Sequence, residues 1–124
     1  MLERQGARLM PDHDQVLIIY TTWPSQESAE TCAREAVEAR HAACVNLLGP
    51  IQSIYRWEGE VERAEEHGAI FKTTARSAED LRALILDLHP YETPCLIALH
   101  LEELHSDPAY LAWLRRETGP TSFT

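Results

Sequence analysis

Apolar and polar positions along the chain switch between two periods, and the order of the switches sets the architecture. Val16 to Thr22 reads VLIIYTT, a β-branched run without clean alternation, as expected of a strand covered on both faces. Pro24 and Ser25 open a helix whose small and apolar residues, Ala29, Cys32, Ala33, Ala36 and Val37, share one face. Their smallness predicts close approach to a sheet. Cys44 to Trp57 is extended but interrupted at Gly49-Pro50. Proline cannot donate to a ladder and glycine marks a bulge, so this stretch predicts one long bent strand. Glu58-Gly59 makes the next turn. The return strand runs from Glu60 to about Thr74, apolar at Ala69, Ile70 and Phe71, with Gly68 read as a second bulge.

Ser77 followed by Asp80 resembles a capping box, with Asp in place of Glu. Leu81, Leu84, Ile85 and Leu88 then form a helical stripe that leaves Leu86 outside it. After a connector at 89–94 comes a strand through about Leu101. Asp107 as N-cap and Pro108 at the first helical position start a last helix, with Tyr110, Leu111, Trp113 and Leu114 on its apolar side. Gly119-Pro120 ends it. Residues 1–14 read as a flexible charged leader, 15–117 as one domain and 118–124 as a tail.

The resulting order, β-α-β-β-α-β with a terminal helix, is that of an α+β ferredoxin-like sandwich, an antiparallel sheet with two helices on one face. The uncovered face takes Tyr55, Trp57 and Phe71 as candidates. The hairpin 44–74 is far longer than the ordinary strand of about 5–6 residues, so two short helices cannot cover it. It should project beyond the monomer with unpaired edges, and self-association is the expected remedy.

Composition narrows the function classes. The 124 residues suffice for one self-supporting core. A net charge of −9 argues against a nucleic-acid partner, which calls for a basic stripe. Three cysteines, Cys32, Cys44 and Cys95, do not make a disulfide framework. With neither a secretory signal nor an apolar run of about 20 residues, the chain reads as cytoplasmic, without a membrane partner. Glu58, Glu60, Glu62, Glu65 and Glu66 crowd the hairpin, a pattern most often of a solvated face. Lys72 is the single lysine and sits within an apolar strand.

The connector His89-Pro90-Tyr91-Glu92-Thr93-Pro94 carries the densest chemistry. Each proline fixes its own φ near −65° and holds the preceding residue out of the helical region, so the segment should be stiff. It reads either as a helix stop or as a holder for an imidazole, a phenol and a carboxylate. Cys44 near His41 reads better as a buried structural thiol than as an activated nucleophile.

Ala43-Cys44-Val45-Asn46, Ser53-Ile54-Tyr55-Arg56-Trp57-Glu58-Gly59, Phe71-Lys72-Thr73, the connector 89–94 and Tyr110-Leu111-Ala112-Trp113-Leu114 stand in an order and spacing that resemble the CutA divalent-cation tolerance family, over roughly residues 16 to 116. The resemblance implies a ferredoxin-like fold in a tight homotrimer, a link to tolerance of copper and other divalent ions, and no catalytic activity. It also implies inter-subunit clefts where Trp57, Lys72, Tyr91 and Glu92 meet. The chain departs from the family at Cys95, where Glu is usual, and at His100, where proline is common. Relatives that bind copper use a first-strand cysteine and a histidine pair; here Tyr20-Thr21 and Leu88-His89 stand in those places. A different set then offers itself, with His89 and Cys95 as metal ligands and Glu92 between them, since copper favours imidazole and thiolate. An extended connector would spread these groups over as much as ~20 Å, so they converge only if the chain folds back. The expectation is weak binding of copper or another divalent cation, with no obligatory cofactor. The rival is a small-molecule regulatory trimer similar to the signalling proteins of nitrogen regulation, with its ligand in the inter-subunit cleft.

Overall fold

The structure, a computed structural model, describes residues 13–120. The expected leader through residue 12 and the last four residues of the expected tail lie outside the described residues. The elements are β1 (Val16–Trp23), α1 (Gln26–Glu38), β2 (Cys44–Trp57), β3 (Glu60–Thr74), α2 (Ala75–Leu88), β4 (Leu96–His100) and α3 (Pro108–Arg116). The sheet order is β2-β3-β1-β4 with every pair antiparallel. This is the α+β sandwich that the hydrophobic periods predict.

Local chemistry explains the boundaries. The Ser25 hydroxyl accepts from the Ser28 N–H and caps α1. Asp107 caps α3 by accepting from the Tyr110 N–H, with Pro108 next in line. The α2 start differs from expectation. The helix begins at Ala75, two residues before the anticipated cap, because main-chain carbonyls accept its first free N–H groups: Ala75 N–H donates to Gln15 and Arg76 N–H to His13. Ser77 is therefore not a cap but a buried residue within the first turn. Glu58 and Gly59 both take positive φ, 49° and 84°, in the hairpin turn.

The core lies between the sheet and helices α1 and α2. Ile19, Trp23, Ala29, Cys32, Ala36, Ala69, Phe71, Leu81 and Ile85 are all buried there, with Leu84 and Leu88 packed partly against them. Val37, expected on the packed face of α1, is 42% exposed and sits at the helix margin. Leu86 is also exposed, as its place off the stripe requires.

The bulge falls at the expected Gly49-Pro50 break and does more than bend the strand. Leu47 pairs with Ala69 and Pro50 with His67, so Leu48 and Gly49 together face only Gly68. That extra residue inverts the phase of β2 relative to its own first half. Val45 and Leu47 share the helix side with Phe71 and Ala69, whereas Tyr55 and Trp57 fall on the opposite side with Glu62 and Glu60. Phe71 is thus corrected from the uncovered face to the core, where it is fully buried. Gly68 is no second bulge. It lies opposite the first, where a Cβ would meet the Leu48 side chain at 3.0 Å.

β1 pairs with β3 only as far as His67. Beyond that point residues 51–66 form a two-stranded ribbon, with Ile54, Tyr55, Trp57 and Val61 exposed by 72%, 41%, 60% and 66%. The second sheet face carries Ile18, Lys72, Cys44 and Leu99 in one row and Tyr20, Ile70, Asn46 and Ile97 in the next. Helix α3 covers one end of it, burying Leu111 and Leu114 against Val16 and Ala43.

Candidate functional site

The connector after α2 is fixed from β1 by a single imidazole. His89 Nε2 lies 2.8 Å from the Thr22 carbonyl oxygen, and Nδ1 accepts from the Tyr91 N–H at 3.0 Å. A carbonyl can only accept and an amide N–H can only donate. These two partners therefore select the neutral tautomer protonated at Nε2. The ring stacks on Trp23 at 4.3 Å and tilts against Tyr91 at 5.1 Å. It is 7% exposed. Trp23 is held in turn, since its indole N–H donates to the Thr21 hydroxyl, which donates to the Ala69 carbonyl. Two hydrogen bonds and a ring stack thus link β3 through β1 to the connector.

That geometry decides what His89 can do. Both ring nitrogens are committed to the main chain, so neither offers a free lone pair to a metal. Cys95 is a half-buried free thiol just before β4, and no hydrogen bond joins it to His89 or Glu92. Among the described residues no three His, Cys, Asp or Glu side chains gather closely enough to hold an ion. The residues anticipated as metal ligands do not fit a copper site within one chain.

The anticipated cleft residues are also dispersed. Trp57 sits at the ribbon tip, opposite Glu60. The run from Glu60 to Lys72 along β3 spans up to about 40 Å at a rise of roughly 3.3 Å per residue. Trp57 and Lys72 can share a cleft only across different chains. The Lys72 ammonium donates to the Tyr110 hydroxyl at 3.2 Å, and Tyr110 tilts against Trp113. Tyr91 belongs with the hairpin base: burial first, then the Glu66 carboxylate and the Tyr55 phenol, push its hydroxyl above the usual phenol range. Glu92 is exposed beside it in sequence.

Two features escape sequence reasoning. Arg40 adopts φ 64° after α1 and its guanidinium donates to the carbonyls of Arg116 and Gly119, while the Gly119 N–H donates back to the Arg40 carbonyl. Thr118 is buried beside it, its hydroxyl donating to the Leu114 carbonyl. The other is His67, whose Nδ1 is buried without a partner among the described residues. Neither carries a local signal beyond the residue type itself.

Residues 17–117 match the CutA1 divalent ion tolerance protein family. The chain belongs to the CutA family. The divalent-cation tolerance protein CutA of Thermus thermophilus is 42% identical over 102 residues, covering 82% of this chain and 97% of that one. A solved CutA1 structure from the same organism superposes with a TM-score of 0.79 at 40% identity, over 84% of this chain and 99% of that one. The CutA structure from Archaeoglobus fulgidus, described as a periplasmic divalent cation tolerance protein, gives 0.77 at 36% identity over 82% and 97%. These relatives are named for tolerance and not for a reaction. No helix among the described residues is long and apolar enough to cross a membrane.

Proposed function

We propose that this CutA chain acts in divalent-cation tolerance as a cytoplasmic homotrimer, without a catalytic step of its own. The observation that carries the assembly is the ribbon. Among the described residues its backbone beyond His67 has no third strand, and apolar side chains stand out from both of its faces. Unpaired edges and exposed aromatic surface at such density favour association with further chains. Three copies in a ring allow every ribbon to give one contact and receive another. Tyr55 and Trp57, two apart on one face, are then interface anchors.

The state of the thiols supports the compartment part of this reading. All three thiols are free, in keeping with a reducing environment. Burial pushes the Cys32 thiol up to about 12, with Glu35 adding a smaller push, so it stays protonated and inert. The weak copper binding expected of His89 and Cys95 has no donor set in a single chain and plays no part in this proposal.

Complementation tests the reading. Cells lacking this chain and challenged with Cu(II) should regain tolerance with the wild-type gene and not with Tyr55→Glu. Full rescue by Tyr55→Glu as a stable monomer would separate tolerance from assembly.

A further inference from the structure

Lys72, the chain's only lysine, stands on the second sheet face in a row with Ile18, Cys44 and Leu99. The next row holds Tyr20, Asn46, Ile70 and Ile97, so Lys72 is the one charged side chain of the two rows. Leu99 is exposed, and Ile18 and Cys44 are half-buried. Helix α3 rises beside this floor. Leu111 and Leu114 hold the helix on Val16 and Ala43, and Tyr110 leaves it toward Lys72. Sheet and helix thus meet in a corner, with the ammonium at its foot and the Tyr110 and Trp113 rings on its wall.

The charge at that foot is left uncompensated. The chain carries a net −9, yet no carboxylate among the described residues pairs with Lys72. The ammonium sits closer to the Tyr110 hydroxyl than to the centre of its ring, 3.2 Å against 5.3 Å, so the ring face offsets little of the charge. An ammonium carries three N–H groups and no acceptor, and a phenol one O–H. Tyr110 takes one of the three. The other two, and the phenol's own hydrogen, meet no acceptor among the described residues. Two neighbouring donors above an apolar floor suit a group that only accepts.

We propose that this corner binds a small organic monocarboxylate with an apolar body. One carboxylate oxygen accepts from the Lys72 ammonium and the other from the Tyr110 hydroxyl, both short charge-assisted bonds. A single cation matches a single negative charge, so a phosphate dianion would keep half of its charge unpaired in the same place. The apolar body lies on Ile18 and Leu99, against the Trp113 ring, as in sites where a few polar groups orient a ligand on an apolar wall. The donors and the floor belong to one chain, so this assignment goes beyond the trimer reading and does not depend on it.

Benzoate titrated into the full-length protein, followed through its amide NMR signals, tests the site. Saturable shifts should appear at Lys72, Leu99 and Tyr110, and hexanoate should move the same set. Benzamide, of the same shape without the charge, should bind about tenfold or more weakly, because it cannot accept as an anion. Lys72→Met should weaken benzoate by a similar factor, Tyr110→Phe should weaken it less, and Lys72→Arg should keep most of the affinity. Circular dichroism checks that each variant is folded. The comparison of benzoate with benzamide uses the wild-type protein, so it decides even where Lys72→Met fails to fold. Benzoate and benzamide binding alike, or inorganic phosphate binding more tightly than benzoate, would overturn the assignment. So would a folded Lys72→Met that binds benzoate as wild type does, or the absence of saturable shifts at the corner.

Discussion

β2 and β3 build two regions of opposite character from one continuous pair of strands. In their inner halves Val45, Ala69 and Phe71 pack under α1 and α2, and Phe71 and Ala69 are fully buried. In their outer halves Ile54, Trp57 and Val61 stand at 60% exposure or more. Both halves are continuous strand, so strand propensity does not separate them. What separates them is what lies on either side: β1 and two helices inward, and no third strand among the described residues outward. The inner half spends its apolar side chains on folding and the outer half holds them for association.

Substitutions in the two halves should therefore report on different equilibria. The largest effect belongs to the inner half. Phe71→Ala should destabilise the chain by about 3–5 kcal/mol, by emptying volume between the sheet and both helices. A loss below about 1 kcal/mol in urea melts would mean that the core does not depend on that face of β3.

Next comes the connector. His89→Ala strands the Thr22 carbonyl, frees the Tyr91 N–H and unstacks Trp23, at a cost of roughly 2–3 kcal/mol. Its Cu(II) isotherm by calorimetry should match that of wild type. A copper response lost with the imidazole would show that the ring leaves its main-chain partners to bind metal.

The Cys32 thiol gives a pH test. Its folded value, raised from about 9 to about 12, means that folding favours the protonated form. That stability is complete below about pH 9 and is lost as pH climbs toward 12. Cys32→Ala should flatten this alkaline limb of the melting curve, and an unchanged limb would assign it to other groups. The smallest effect is at Leu86, which is exposed, so Leu86→Ala should stay within about 0.5 kcal/mol. Leu84, half-buried against the core, should cost clearly more. Equal losses at 84 and 86 would put the helix face in the wrong place.

Local signals were legible where they were also sufficient. The Ser25 and Asp107 caps, the Gly49-Pro50 bulge and the Leu81–Ile85 stripe need only neighbours in sequence, and each stands where the pattern puts it. Misreadings arose where a distant partner decided. The carbonyls of His13 and Gln15 start α2 before Ser77, and the inverted phase across the bulge sends Phe71 and Trp57 to opposite faces. His89 is the clearest case in the candidate site. Its position marked the connector as important, but only the Thr22 carbonyl and the Tyr91 N–H show that its nitrogens are structural. Trp57, Lys72, Tyr91 and Glu92 read as neighbours by analogy, yet a single chain keeps Trp57 and Lys72 at far points of the same hairpin.

The mass of the wild-type protein in solution tests the central claim most directly. At micromolar concentration, light scattering coupled to size exclusion should give about three times the 14.1 kDa of one chain. A species of 14.1 kDa with the circular dichroism of a folded protein would contradict it, because the ribbon would then keep its apolar faces in water without a partner.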